Sequence, residues 1–167
     1  GSIIQTTMIS ALVEKELELE RITTLLQAQS EVARVGSWEY NLETEELHWC
    51  KETKKIHEVH SDYVPEVTEA IAFYKQGFSR NRISMLFHKA MEEGSPFNEK
   101  LTIVTKNGKE RWVAAAGKAI QKNGKTHKIF GTFQDIDEQM MADKKIRESE
   151  QLLTTLIDNL PINVFIK

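Results

Sequence analysis

The chain has 167 residues, of which 40% are hydrophobic and 28% charged, a mixture typical of a globular protein that can bury a core. A net charge of −3, with both signs interspersed, gives no electrostatic reason to expect nucleic-acid binding. The single cysteine, Cys50, excludes an internal disulfide and favours a reducing compartment. Because no apolar run approaches the roughly 20 residues that span a bilayer, we expect a cytoplasmic domain, whose parent protein could be membrane-anchored elsewhere.

The first segment predicts a long amphipathic helix. Residues 1–2 are interpreted as a tag remnant, and residues 3–33 lack Gly and Pro and are rich in good helix formers. One stripe repeats in alternating steps of four and three. This helix either packs on its own domain or forms a coiled coil in a homodimer. The candidate dimer residues are Leu12, Leu19, Ile22 and Leu26.

A strand pattern follows the helix, which we expect Gly36 to end. Residues 37–42 alternate, placing Trp38, Tyr40 and Leu42 on one face, and residues 47–50 predict a second short strand. Shorter helices are then predicted over residues 54–59, 67–74 and 80–93.

Two nearly identical tetrapeptides mark a three-stranded antiparallel meander. They are Lys106-Asn-Gly-Lys109 and Lys122-Asn-Gly-Lys125, and Asn-Gly suits the positive φ angles of two-residue hairpin turns. The flanking strands are predicted over residues 99–105, 110–121 and 126–133.

A second long helix is predicted over residues 138–160, where Pro161 stops it. Residues 161–167 look like the opening of another strand. Leu25 and Leu26 precede Val35 and Trp38 by certain sequence offsets. Leu152 and Leu153 precede Ile162 and Phe165 by the same offsets. The tail is therefore either the start of a truncated second repeat or a chance similarity between amphipathic helices.

Three segments resemble the PAS domain of bacterial sensor histidine kinases and diguanylate cyclases. They are Val35-Gly-Ser-Trp-Glu-Tyr40, Lys106-Asn-Gly-Lys-Glu-Arg-Trp-Val113 and Gly131-Thr-Phe-Gln-Asp-Ile-Asp-Glu138. The last resembles the family's Asp-Ile-Thr signature, with Asp137 where Thr is usual. The resemblance assigns residues 34–137 to the domain and the tail to the start of a second PAS repeat.

The resemblance implies an α+β fold. Its five-stranded antiparallel sheet would have the order 2-1-5-4-3, with short helices on one face and long helices flanking the domain. It also implies a sensory and dimerisation module, not an enzyme, fused to a diguanylate cyclase or histidine kinase output domain. A ligand-free dimerisation and relay module is the alternative. At the signal-relay junction, Asp135 would bond the end of the last strand and Asp137 would cap the following helix.

Alternation, matched to PAS sheets, predicts which residues face a cavity between helices and sheet. A filled core is the alternative. The opposite, outer face is expected to be covered by the N-terminal helix. The cavity candidates are Trp38, Tyr40, Trp49, Ile56, Phe87, Leu101, Ile103, Val113, Ala115 and Phe133.

Cofactor signals are weak, so the cofactor stays unknown. Cys50 lies outside the Asn-Cys-Arg-Phe motif of flavin-binding relatives, and the neighbours of His88 do not match the haem-binding ones. His57 and His60 lack a third metal ligand and are expected on a solvated polar surface. A small molecule and a second copy are the expected partners, and nucleic acid is not.

Overall fold

A computed structural model of the chain describes residues 2–160, a range that holds five helices and five strands. The predicted opening of a second repeat, at residues 161–167, lies outside the described residues. Of the helices described, none has the length and apolarity needed to cross a membrane. The elements are α1 (Ser2–Ala33), β1 (Val35–Asn41), β2 (Glu46–Trp49), α2 (Lys51–Ile56), α3 (Val67–Ala72), α4 (Phe78–Glu93), β3 (Phe97–Val104), β4 (Glu110–Lys122), β5 (Lys125–Asp135) and α5 (Asp137–Asp158).

The five strands form one antiparallel sheet in the order β2-β1-β5-β4-β3, which confirms the predicted topology. Only the second Asn-Gly forms a two-residue turn, in which both Asn123 (φ 53°) and Gly124 (φ 76°) are left-handed. The loop between β3 and β4, which contains the first Asn-Gly pair, is longer. In that pair Gly108 has a left-handed φ and Asn107 does not. The side chain of Asn107 instead donates a hydrogen bond to the Glu58 carboxylate, which fastens this loop to the segment after α2.

The end of α1 differs from the prediction. The helix ends at Ala33, and Arg34 makes the left-handed turn with a φ of 52°. Gly36 lies inside β1, where a Cβ atom would meet Thr53 of α2 at 2.1 Å from Oγ1 and 2.7 Å from the backbone nitrogen. The glycine is therefore required because α2 lies directly against the strand, and not because a helix ends there.

The core lies between one face of the sheet and the helices α2, α3 and α4. The predicted inward residues Leu101, Ile103 and Val113 are completely buried there. The outer face is not covered by α1, contrary to the prediction, because residues 3–29 of that helix are themselves exposed. The contacts of α1 with the sheet lie mainly at β1, and Trp112 on the outer face stays exposed.

Replacing Gly36 by alanine should destabilise the domain by at least about 3 kcal/mol, because the new methyl group collides with the backbone of α2. Gly108→Ala is the matched control. It adds a methyl group where nothing lies within 4 Å, so it should cost only the strain of its left-handed φ, about 1–2 kcal/mol. Urea unfolding followed by circular dichroism measures both, and equal losses would contradict the close approach of α2.

Candidate ligand cavity and helix junction

A cavity of about 60 Å³ lies between the sheet and the helices. A single water needs roughly 10–15 Å³ on this scale, so the space suits a few waters or a compound of a few heavy atoms. Most of its wall is apolar or aromatic. The lining residues are Trp38, Leu47, Trp49, Thr53, His57, Val67, Ala70, Ile71, Tyr74, Ile83, Phe87, Phe97, Ala115 and Phe133.

Half of the predicted cavity residues line this space and half do not. The alternation is correct, but the segment after α3 covers β3, where Tyr74 pairs with Ile103 through the backbone. The inner residues of that part of the sheet therefore pack as solid core. The lining candidates are Trp38, Trp49, Phe87, Ala115 and Phe133, and those that belong to the surrounding core instead are Tyr40, Ile56, Leu101, Ile103 and Val113.

The side of the cavity formed by α3 and the segment after it escaped prediction, although one signal for it exists. Four lining residues have the spacing of one helix face. Counted from Val67, the others lie three, four and seven positions later, at Ala70, Ile71 and Tyr74. A six-residue helix is too short for this spacing to stand out from chance. The other unpredicted lining residues are Leu47, Thr53, His57, Ile83 and Phe97.

Two aromatic rings lie next to each other in the cavity wall. Trp38 and Phe97 stack with ring centroids 6.1 Å apart. They lie over Gly117, where a Cβ atom would be 2.5 Å from the Phe97 ring and 3.0 Å from that of Trp38. The absent side chain of Gly117 thus makes room for two rings and adds no space for a ligand.

His57 lies in the wall of the cavity and not on a solvated surface, so the expected surface position is wrong. Its side chain is 2% exposed and stacks between Trp49 and Phe133, with ring centroids at 4.1 and 4.6 Å. Nδ1 lies 2.8 Å from the carbonyl oxygen of Thr53, which can only accept, so Nδ1 carries the hydrogen. Burial lowers the pKa of His57 to about 4, so the ring is neutral at pH 7.

The other histidines considered lie away from the cavity. His88 is exposed and pairs with Glu92 at 3.1 Å, so it cannot be an axial ligand inside the domain. His60 is exposed and contacts Asp62. Throughout residues 2–160 no group of three His, Cys, Asp or Glu side chains is arranged to hold a metal ion. Cys50 follows β2, where its sulfur accepts a hydrogen bond from the Ser37 amide at 3.1 Å.

At the junction of β5 and α5, Asp135 takes the role that the sequence suggested for Asp137. The buried Asp135 carboxylate accepts the Asp137 amide at 3.0 Å, and the residue at the helix cap position is Ile136. The predicted cap by Asp137 is therefore wrong. The Asp137 carboxylate points back to the sheet, where it accepts the backbone amide of Trp112 at 3.1 Å.

Arg111 of β4 links this junction to the cavity wall. One guanidinium nitrogen lies 2.6 Å from the Glu58 carboxylate and another lies 3.6 Å from that of Asp135. Glu58 directly follows the cavity residue His57, and Asp135 ends the strand that leads into α5. Arg34, at the end of α1, also pairs with Asp135, at 4.0 Å. One cation thus connects the cavity wall to the point where both long helices join the sheet.

Residues 58–133 match the family model described as the PAS fold. The central domain therefore has the PAS fold. The sensor protein FixL of Bradyrhizobium diazoefficiens is 23% identical over 128 residues, which cover 76% of this chain and 25% of that protein. The chain therefore spans about a quarter of the length of this curated relative.

Solved structures of PAS sensor proteins share the fold. A sensory box histidine kinase/response regulator from Burkholderia thailandensis matches with a TM-score of 0.62 at 20% identity, covering 78% of this chain and 98% of that one. The N-terminal domain of a diguanylate cyclase with PAS/PAC sensor from Marinobacter aquaeolei matches with a TM-score of 0.58 at 12% identity, covering 64% and 98%. At these identities the likeness establishes the fold alone. A PAS domain is a regulatory module, and its ligand has to be argued from its own residues.

Acid should destabilise this domain through His57. Its pKa is about 4 when folded and about 6.5 when unfolded, so the unfolded chain binds more protons between these values. Stability is then constant above about pH 6.5 and falls as the pH falls toward 4. His57→Phe keeps a stacking ring without this proton site. Between pH 7 and 4.5, urea unfolding should show the native chain losing about 2–3 kcal/mol more than the variant; parallel losses would contradict a buried neutral His57.

Proposed function

We propose that this PAS domain is a sensory and relay module of a bacterial signal-transduction protein. A small molecule in the cavity, or its absence, sets the geometry of α1 and α5, which pass the state to an output domain of the parent protein. A diguanylate cyclase or a histidine kinase is the proposed parent. The observation that carries the proposal is the double ion pair of Arg111, because it joins the cavity wall to the origin of α5.

The relay follows from contacts on both sides of Glu58. A ligand changes a helix geometry only if it binds two arrangements with different affinity. An occupant that displaces the His57 ring moves the adjoining Glu58, whose carboxylate holds Arg111. Arg111 in turn holds Asp135, whose carboxylate accepts the first amide of α5. The position of one ring can therefore bias the start of a helix.

Dimerisation through α1 is the second part of the proposal. Leu12, Leu19, Ile22 and Leu26 are between 47% and 63% exposed, which leaves a long apolar stripe in water. A second copy of the chain that presents the same stripe would bury it in a parallel coiled coil. Helix α5 has a similar run, at Leu152, Leu153 and Leu156, which extends the surface available to the partner.

A ligand-free dimerisation and relay module is the alternative, and the size of the cavity favours it. Pockets for drug-sized ligands occupy about 300–1,000 Å³, against about 60 Å³ here. In this alternative the cavity is a packing defect and the signal arrives along α1 from another part of the parent. The two functions differ in whether any small molecule stabilises the domain.

Replacing Arg111 by methionine should loosen the start of α5. The variant leaves the buried Asp135 carboxylate without its partner in β4, so the Asp137 amide that it accepts should exchange its hydrogen about tenfold faster. The matched control is Arg82→Met, which breaks the ion pair with Glu99 away from the junction. Hydrogen exchange by NMR measures both variants. If Arg111→Met leaves the first turn of α5 unchanged, the relay through Arg111 is wrong.

A charged residue on the stripe of α1 should produce a monomer. Leu19→Glu combined with Ile22→Glu puts four carboxylates into the seam of a dimer, where like charges repel. Val32→Glu is the control, since Val32 is 88% exposed on the same helix but lies off the stripe. Sedimentation velocity should report a dimer for the native chain and the control, and a monomer for the double variant. A double variant that stays dimeric would place the interface elsewhere.

A further inference from the structure

The imidazole of His57 places a hydrogen-bond acceptor in the cavity wall that no described residue uses. Thr53 is engaged, since its hydroxyl donates to the Ser37 carbonyl at 2.9 Å, and Nδ1 of His57 donates to the Thr53 carbonyl at 2.8 Å. No residue within the described range donates a hydrogen bond to Nε2 of His57. Nε2 retains some accessible surface, because among the described residues the fully enclosed side-chain atom without a hydrogen bond is Oε2 of Glu52. The His57 ring lines the cavity and its Nδ1 is already engaged, so Nε2 is the ring nitrogen available to an occupant of this space.

We propose that Nε2 of His57 anchors a small, uncharged, planar molecule by accepting a hydrogen bond from an N–H or O–H group of that molecule. The inference rests on the proposed function, because it presumes that the cavity takes a ligand. It goes further by naming the anchoring atom and the chemical class of the occupant. The established match to the PAS fold specifies neither.

The donor on the ligand follows from the tautomer. With its hydrogen on Nδ1, a neutral imidazole presents a lone pair at Nε2 and can only accept there. A group that accepts but cannot donate leaves that lone pair without a partner, and an unpaired polar atom in an apolar site costs affinity. Molecules with an N–H or O–H group are therefore preferred over those of equal size without one.

The absence of charge follows from the wall. Of the residues that line the cavity, none carries a formal charge at neutral pH. Burial also raises the pKa of the Tyr74 hydroxyl, which stays protonated and can donate to a second polar group of the ligand. A charged ligand would lose its hydration without meeting an opposite charge. Ions such as phosphate or a free carboxylate are therefore excluded.

The flat shape and the size follow from the rings around the space. Trp38, Trp49, Phe87 and Phe133 supply aromatic walls, which favour a planar ring that stacks or packs edge-on. About 60 Å³ limits the molecule to a few heavy atoms. Five-membered nitrogen heterocycles and other small ring compounds with one donor fit these requirements.

Pyrrole and furan test the anchor with the native chain. Both are flat, uncharged five-membered rings, but only pyrrole has an N–H group. Titration followed by NMR should show pyrrole binding about fivefold to tenfold more tightly than furan. The NMR signal of the His57 Nε2 nitrogen should shift when pyrrole is added and should not shift when furan is added. Equal affinities, or an Nε2 signal that pyrrole leaves in place, would overturn the anchor.

The variant His57→Phe tests the anchor in a second way. Phenylalanine keeps the stacked ring, and the backbone amide at position 57 still donates its hydrogen bond to the Thr53 carbonyl. In this variant pyrrole should bind as weakly as furan, and the affinity for furan should equal that of the native chain. A preference for pyrrole that persists in the variant would contradict the role of His57. Equal binding of both rings to the native chain overturns the anchor but leaves the cavity as a ligand site. Pyrrole preference without any change in α5 hydrogen exchange leaves the anchor and overturns the relay. If neither ring binds, the anchor and the ligand-sensing function both fail, and the ligand-free relay module remains.

Discussion

The pairing of the first strand with the last is the constraint on which the rest of the domain depends. Because β1 lies beside β5 in antiparallel register, Val35 is opposite Gln134, and α1 ends where α5 begins. The Asp135 amide donates to the Arg34 carbonyl at 3.1 Å, which ties the two connections together. The same pairing puts both strands in the middle of the sheet, where α2 can lie across them and carry His57 over Phe133.

A partly buried cation between two carboxylates makes Arg111 more than a surface ion pair. Exposed pairs contribute little because water and salt screen them, whereas the side chains of Arg111, Glu58 and Asp135 are 25%, 14% and 6% exposed. Losing one partner would leave a poorly solvated charge, so the three groups have to move together. A fork-shaped guanidinium can serve both carboxylates, and an ammonium group could not do so with the same geometry.

Local signals predicted the strands, because alternation marked them and Asn123 with Gly124 marked the tightest turn, whereas the order of the strands in the sheet came from the resemblance to PAS domains. Five of the ten predicted residues line the cavity, since alternation separates the faces of a strand but does not reveal which part of a face a helix covers. His57 was missed because a histidine in a polar segment looks solvated until its stacking partners are known. The contact of Arg111 with Asp135 depends on strand pairing across 24 residues, which no local pattern encodes. Gly36 was misread for the same reason, because the neighbour that requires it lies in α2.

Helix length has a mechanical consequence at this junction. The 22 residues of α5 extend about 33 Å at about 1.5 Å per residue. Tilting such a rod by about 5° where it leaves Asp135 displaces its far end by about 3 Å. The helix therefore acts as a lever arm that pivots at a single carboxylate, and a shift near His57 too small to alter the fold would be magnified at the far end of α5.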